Sequence, residues 1–132
     1  MKLFVYGTLK RQCSNNSFFH YSQYVDEVMT QGEMYDTGPY PVLIDNVFQA
    51  TTSDTIFGEL WEVAIEDFLR ITRMELTSGY RLSMITVIHP NGMDERVYAY
   101  VFPRELFTSI NATQPTRRIT NWTERSEGEQ HV

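Results

Sequence analysis

Apolar and polar positions change period along this chain, and each change marks an element. "KLFVY" at residues 2–6 is an unbroken branched and aromatic run stopped by Gly7, the pattern of a buried strand. "KRQCSNNS" is loop-like, and Asn16 or Ser17 is placed to cap a short helix through "FFHYSQYV". Mixed polarity over residues 26–35 reads as a strand, "DTGPYP" as a turn, and "VLI" as a brief strand closed by "DN". In "TIFGELWEV", Ile56, Gly58 and Leu60 alternate with Phe57, Glu59 and Trp61. That is a strand in which Gly58 marks a bulge or a close approach. Ile65, Phe68, Leu69 and Leu76, with Ile71 beside them, follow helical spacing and predict a helix over residues 65–76. "RLSMITVIH" and "ERVYAYVF" are β-rich runs around "PNGMD", whose Asn-Gly signals a hairpin. After Pro103 the chain turns polar, with little core material beyond Ile119 and Trp122. The expected architecture is α+β, a small closed or nearly closed mixed β-barrel with one principal helix. It forms a single domain over residues 1–124, with residues 125–132 as a flexible tail.

One residue does not fit that pattern. Around a helix, Glu75 falls about 20° from Phe68 and between Ile71 and Leu69, in the middle of the apolar arc. An ionised carboxylate there is costly unless it gains a hydrogen-bond partner, a raised pKa or a cavity open to solvent. The negative end of the helix dipole adds to the cost. Alternatively the helix stops before Glu75, which then swings into solvent or pairs with Arg73 or Arg81. Periodicity leaves both readings open.

Composition narrows the functions. With 132 residues, 42% hydrophobic and 14% aromatic, the chain is long and apolar enough to bury a core. The apolar runs are far shorter than the ~20 residues that span a bilayer, and Gly7 and Thr8 interrupt the first of them. No membrane association and a cytoplasmic location are expected. A net charge of −6 without a Lys/Arg cluster argues against nucleic acid. Cys13 is the only cysteine, and His20, His89 and His131 are scattered, so neither a metal nor another cofactor is called for. The N-x-[ST] triplets at Asn15, Asn111 and Asn121 read as chance.

"VYGTLK" at residues 5–10 changes the weight of Glu75. A buried strand ending in Gly-Thr offers successive backbone N–H groups as an anion cradle, and glycine lets the chain approach a ligand closely. Together these pieces resemble the gamma-glutamylcyclotransferase-like family, and in particular its gamma-glutamylamine branch. Tyr6, Gly7, Thr8 and Leu9 match its Tyr-Gly-[Ser/Thr]-Leu loop. "GPYPVLI" and "GELWEV" are similar to its next two segments, and "ITRMEL" and "GYRL" stand where it carries Leu-Asp-x-x-Glu-Gly and Tyr-x-Arg. Thr72 replaces the Asp of that helix motif and Leu76 its Gly.

The resemblance implies a cofactor-independent ring closure. The α-amino nitrogen of a γ-glutamyl amine or amide attacks its own γ-carbonyl, giving 5-oxoproline and releasing the amine. Glu75 then acts as general acid/base, the amides of Gly7, Thr8 and Leu9 hold the substrate carboxylate or oxyanion, and Tyr6 walls the pocket. Tyr80 either reaches the same cavity through its hydroxyl or, like Tyr100, packs in the core with that hydroxyl satisfied. The implied partner is a small γ-glutamyl molecule. The competing expectation is a non-catalytic module of the same fold that engages a protein partner through its aromatic residues.

Overall fold

The computed structural model describes residues 1–45 and 53–124. The expected tail at residues 125–132 lies outside the described residues, as does Asn46 of the "DN" that was to close the third strand.

Five strands close into a barrel in the order β1-β5-β2-β6-β7. They are β1 (Lys2–Val5), β2 (Gln23–Gly32), β5 (Asp54–Glu62), β6 (Arg81–Ile88) and β7 (Asp94–Val101). Parallel pairing of β1 with β7, Leu3 opposite Tyr98 and Phe4 opposite Ala99, completes the ring. All other barrel pairings are antiparallel. The continuous apolar run of β1 follows from burial on both faces. Phe4 enters the barrel interior with Val28, Ile56, Leu60, Val87 and Val97. Leu3 and Val5 face outward, under the helix α1 (Ile65–Thr77) with Phe68 and Ile71. A smaller sheet, β4-β3-β8, flanks the barrel. Its strands are β3 (Met34–Asp36), β4 (Pro41–Leu43) and β8 (Arg117–Ile119).

The Asn-Gly hairpin forms as expected between β6 and β7, with Gly92 at φ +88° and His89 and Met93 joined through the backbone. Gly58 marks a close approach. A Cβ there would lie 2.5 Å from the Phe4 ring and 2.6 Å from the Val5 carbonyl. The bulge in the neighbouring strand falls between Tyr24 and Asp26.

Three expectations need correction. The helix through "FFHYSQYV" is only a 3-10 turn at Asn16–Phe18, because Gln23 already enters β2. A second helix, α2 (Arg104–Thr113), follows Pro103. Phe107 is its one buried side chain, stacked on Tyr35 with ring centroids 4.3 Å apart, and Leu106, Phe107 and Ile110 are the only large apolar residues in an otherwise polar run. Arg104 anchors its start through an ion pair to buried Glu33 at 2.8 Å.

The third correction concerns the face of α1. Ile65, Leu69 and Leu76 are all more than half exposed. The buried side is centred on Asp67, Phe68 and Ile71, roughly 60° around the axis from the arc that apolar residues alone define. Asp67 is completely buried and accepts hydrogen bonds from Tyr21 N–H, the Ser22 hydroxyl and Arg70. Burial alone would raise its pKa, but these donors outweigh it and hold the carboxyl at about 2.

Candidate active site

The helix does not stop before Glu75. It runs to Thr77 and ends in a Schellman arrangement, with Tyr80 N–H donating to the Glu75 carbonyl at 3.0 Å and Gly79 N–H to that of Leu76 at 3.2 Å. Gly79, at φ +97°, occupies the left-handed position that this ending requires. "ELTSGY" is thus a helix stop that fixes Glu75 and Tyr80 relative to one another. Arg81 is engaged with Asp45 at 3.0 Å rather than with Glu75.

Glu75, Tyr6, Gly7, Thr8, Leu9 and Tyr80 all line one hollow of about 370 Å³, measured out to its open mouth. Phe4, Val5, Tyr40, Pro41 and Tyr100 complete its wall. Glu75 is half-buried, and its carboxylate has no hydrogen bond or ion pair among the described residues. Burial raises its pKa from 4.5 to about 7.

The loop after β1 lines the same hollow. The N–H groups of Gly7, Thr8 and Leu9 donate to no acceptor among the described residues, so a row of free donors borders the hollow. Gly7 is required by packing, since a Cβ would come 2.7 Å from Pro41 Cγ. Two side chains missed by sequence reading hold this loop. Asn15 donates to the Thr8 hydroxyl at 2.9 Å, and Asn16 donates to the Leu9 carbonyl at 2.9 Å. Polar residues in a polar loop carry no signal of such a role.

The tyrosines differ in what their hydroxyls do. Tyr6 donates to the Tyr100 carbonyl at 2.6 Å and Tyr80 to the Pro41 carbonyl at 2.7 Å. Burial pushes both phenols upward, so both stay protonated. They brace the wall and contribute ring faces to the hollow. Among the described lining residues there is no Lys, Arg or His. His89 lies elsewhere, bridging Asp26 at 2.9 Å and Glu95 at 3.0 Å.

The barrel thus brings a half-buried carboxylate and a row of free backbone amides to one hollow. Over residues 3–124 the chain matches the family model described as gamma-glutamyl cyclotransferase, AIG2-like, and it belongs to that family. No curated protein matches the chain significantly. Its fold recurs in an AIG2-like protein from Mus musculus, at 16% identity over 96% of this chain and 90% of that one, with TM-score 0.70. YkqA from Bacillus subtilis is 22% identical over 76% of this chain, with TM-score 0.63, and the chain spans only 35% of its length. Allophanate hydrolase from Kluyveromyces lactis matches at 21% identity over 90% of this chain and 19% of that one, with TM-score 0.66. At these identities the shared property is the fold. Among the described residues no helix is long and apolar enough to cross a membrane.

Proposed function

We propose that the chain cyclises a γ-glutamyl amine or amide to 5-oxoproline and releases the amine. The observation that carries this reading is the Glu75 carboxylate, raised to about 7 and facing free backbone amides across one hollow. A γ-glutamyl chain held bent already has its nucleophile beside its electrophile, so the protein must supply geometry and proton traffic. Glu75 takes a proton from the α-ammonium group. The freed nitrogen attacks the γ-carbonyl, Glu75 returns the proton to the departing nitrogen, and the second proton that the ring nitrogen sheds leaves with the amine as its ammonium form. A pKa close to neutrality suits a group that must do both. The amides of Gly7, Thr8 and Leu9 hold the anionic part of the substrate.

The lining supports an aliphatic amine as the leaving group rather than an α-amino acid or peptide, whose carboxyl carbon sits one atom from the carbon bearing the departing nitrogen. Tyr40, Tyr80 and Pro41 give the lining an apolar and aromatic stretch suited to an aliphatic stem, and the described lining holds no cation for a carboxylate beside the departing nitrogen. The test is incubation with ε-(γ-glutamyl)lysine, γ-glutamylbutylamine, glutathione and γ-glutamylalanine, reading 5-oxoproline by mass spectrometry. Release from the first two, faster than from the last two, is expected. No release from any of them overturns the proposal.

A binding module that engages a protein partner is favoured by one observation, the exposed apolar row Ile65, Leu69 and Leu76 on α1. It does not account for a desolvated carboxylate in a hollow.

A further inference from the structure

Counting the hydroxyl protons of the buried tyrosines around the hollow, Tyr6, Tyr80 and Tyr100, leaves one unassigned. Tyr6 and Tyr80 spend theirs on backbone carbonyls. The Tyr100 hydroxyl oxygen lies 2.6 Å from Thr72 Oγ1, and neither hydroxyl has another partner among the described residues. Two protons and one hydrogen bond leave one O–H free. When Thr72 donates, the free proton belongs to Tyr100, whose side chain lines the hollow. Rotating two hydroxyls exchanges the roles without moving a heavy atom. Thr72 and Glu75 are three residues apart on α1, so both project from one side of the helix.

Resting on the ring-closure reading above, we infer that Tyr100, oriented by Thr72, donates a hydrogen bond to the γ-carbonyl oxygen as the ring closes. The α-nitrogen lone pair forms the new C–N bond while the carbonyl π pair moves onto oxygen. That charge is where the Tyr100 proton points. On collapse the C=O re-forms and the bond to the leaving nitrogen breaks, with Glu75 giving that nitrogen its proton and the second proton of the ring nitrogen passing to the released amine, which departs as ammonium. Tyr100 keeps its own proton throughout. Burial pushes its phenol up to about 12, with the Thr72 hydrogen bond opposing and the Glu75 charge adding, so it remains a donor at neutral pH. With Tyr100 on the carbonyl oxygen, the amides of Gly7, Thr8 and Leu9 are left to the α-carboxylate.

The experiment compares wild type with Tyr100→Phe, Thr72→Val and Thr72→Ser on ε-(γ-glutamyl)lysine, with kcat and KM measured separately. Tyr100→Phe is expected to lower kcat about 100-fold and to leave KM within about threefold, the signature of an interaction made in the transition state. Thr72→Val is expected to lower kcat about 10-fold, with Thr72→Ser restoring it, a rescue that lost packing alone does not produce. Should Tyr100→Phe not fold, the Val and Ser variants decide the matter by themselves. An active wild type whose kcat survives Tyr100→Phe overturns this inference and leaves ring closure standing. Equal activity of the Val and Ser variants overturns the orienting role of Thr72. A wild type that releases no 5-oxoproline overturns both readings.

Discussion

Replacing Glu75 with Gln preserves the shape of the side chain and removes only its ionisation, which separates proton transfer from packing. In the folded chain burial lifts the Glu75 pKa from 4.5 to about 7. The unfolded chain therefore gives up this proton first. Between those values the unfolded state binds fewer protons than the native one, so stability falls as pH rises. The whole rise corresponds to roughly 3 kcal/mol, of which about 2 kcal/mol falls between pH 5 and pH 8. Urea unfolding of wild type and Glu75→Gln at both pH values measures it. Other groups titrate in this window, so the informative quantity is the difference between the two proteins. Glu75→Gln is expected to gain about 2 kcal/mol on wild type between pH 5 and pH 8, with an unchanged m-value. At pH 8 its melting temperature rises by on the order of 10 °C. The same variant is expected to release no 5-oxoproline, while wild-type kcat/KM climbs through an apparent pKa near 7. Parallel stability profiles for the two proteins would show that the carboxylate is not desolvated, and the physical basis of the site would go with it.

Three further outcomes follow from other parts of the fold. Gly58→Ala forces a methyl against the Phe4 ring and the Val5 carbonyl, and is expected to cost about 1–3 kcal/mol in urea unfolding. Asp67→Ala leaves Arg70, Tyr21 N–H and the Ser22 hydroxyl, all partly buried donors, without their acceptor, at about 3 kcal/mol. Because the folded pKa of Asp67 is depressed, its contribution is present above about 4 and lost as pH falls toward 2, so the variant's deficit shrinks in acid. His89 is raised by its hydrogen bonds to Asp26 and Glu95, the latter also paired with Lys2 at 2.9 Å. Its stabilisation is complete below about 6.5 and is lost as pH rises through the higher folded value. His89→Gln is expected to remove that decline, and an unchanged pH profile would refute it.

Where sequence reading failed, local signal and tertiary need had parted. α2 was missed because Leu106, Phe107 and Ile110 sit in a short, otherwise polar run of which Phe107 alone is buried. The buried face of α1 was misplaced because Asp67 and Glu75, counted as polar, point inward, while Ile65, Leu69 and Leu76 are exposed. Glu75 remained on the inner side under either assignment, since it lies one turn beyond Ile71 and close to Phe68 in angle. That position was legible. The roles of Asn15, Asn16 and Thr72 were not, because each depends on which residue folding brings opposite it.

Local rules sufficed for much of the chain. Alternation and branched residues marked the barrel strands, Asn-Gly turned the β6–β7 hairpin, and Gly79 with its neighbours stopped α1 two residues beyond Glu75. These depend on backbone sterics and short-range hydrogen bonds, which a few adjacent residues encode. The hollow itself was settled only when β1 closed the ring against β7 and its loop came to face a helix end nearly seventy positions later in the chain. Desolvation of a carboxylate is a property of everything around it, and no stretch of sequence contains its surroundings.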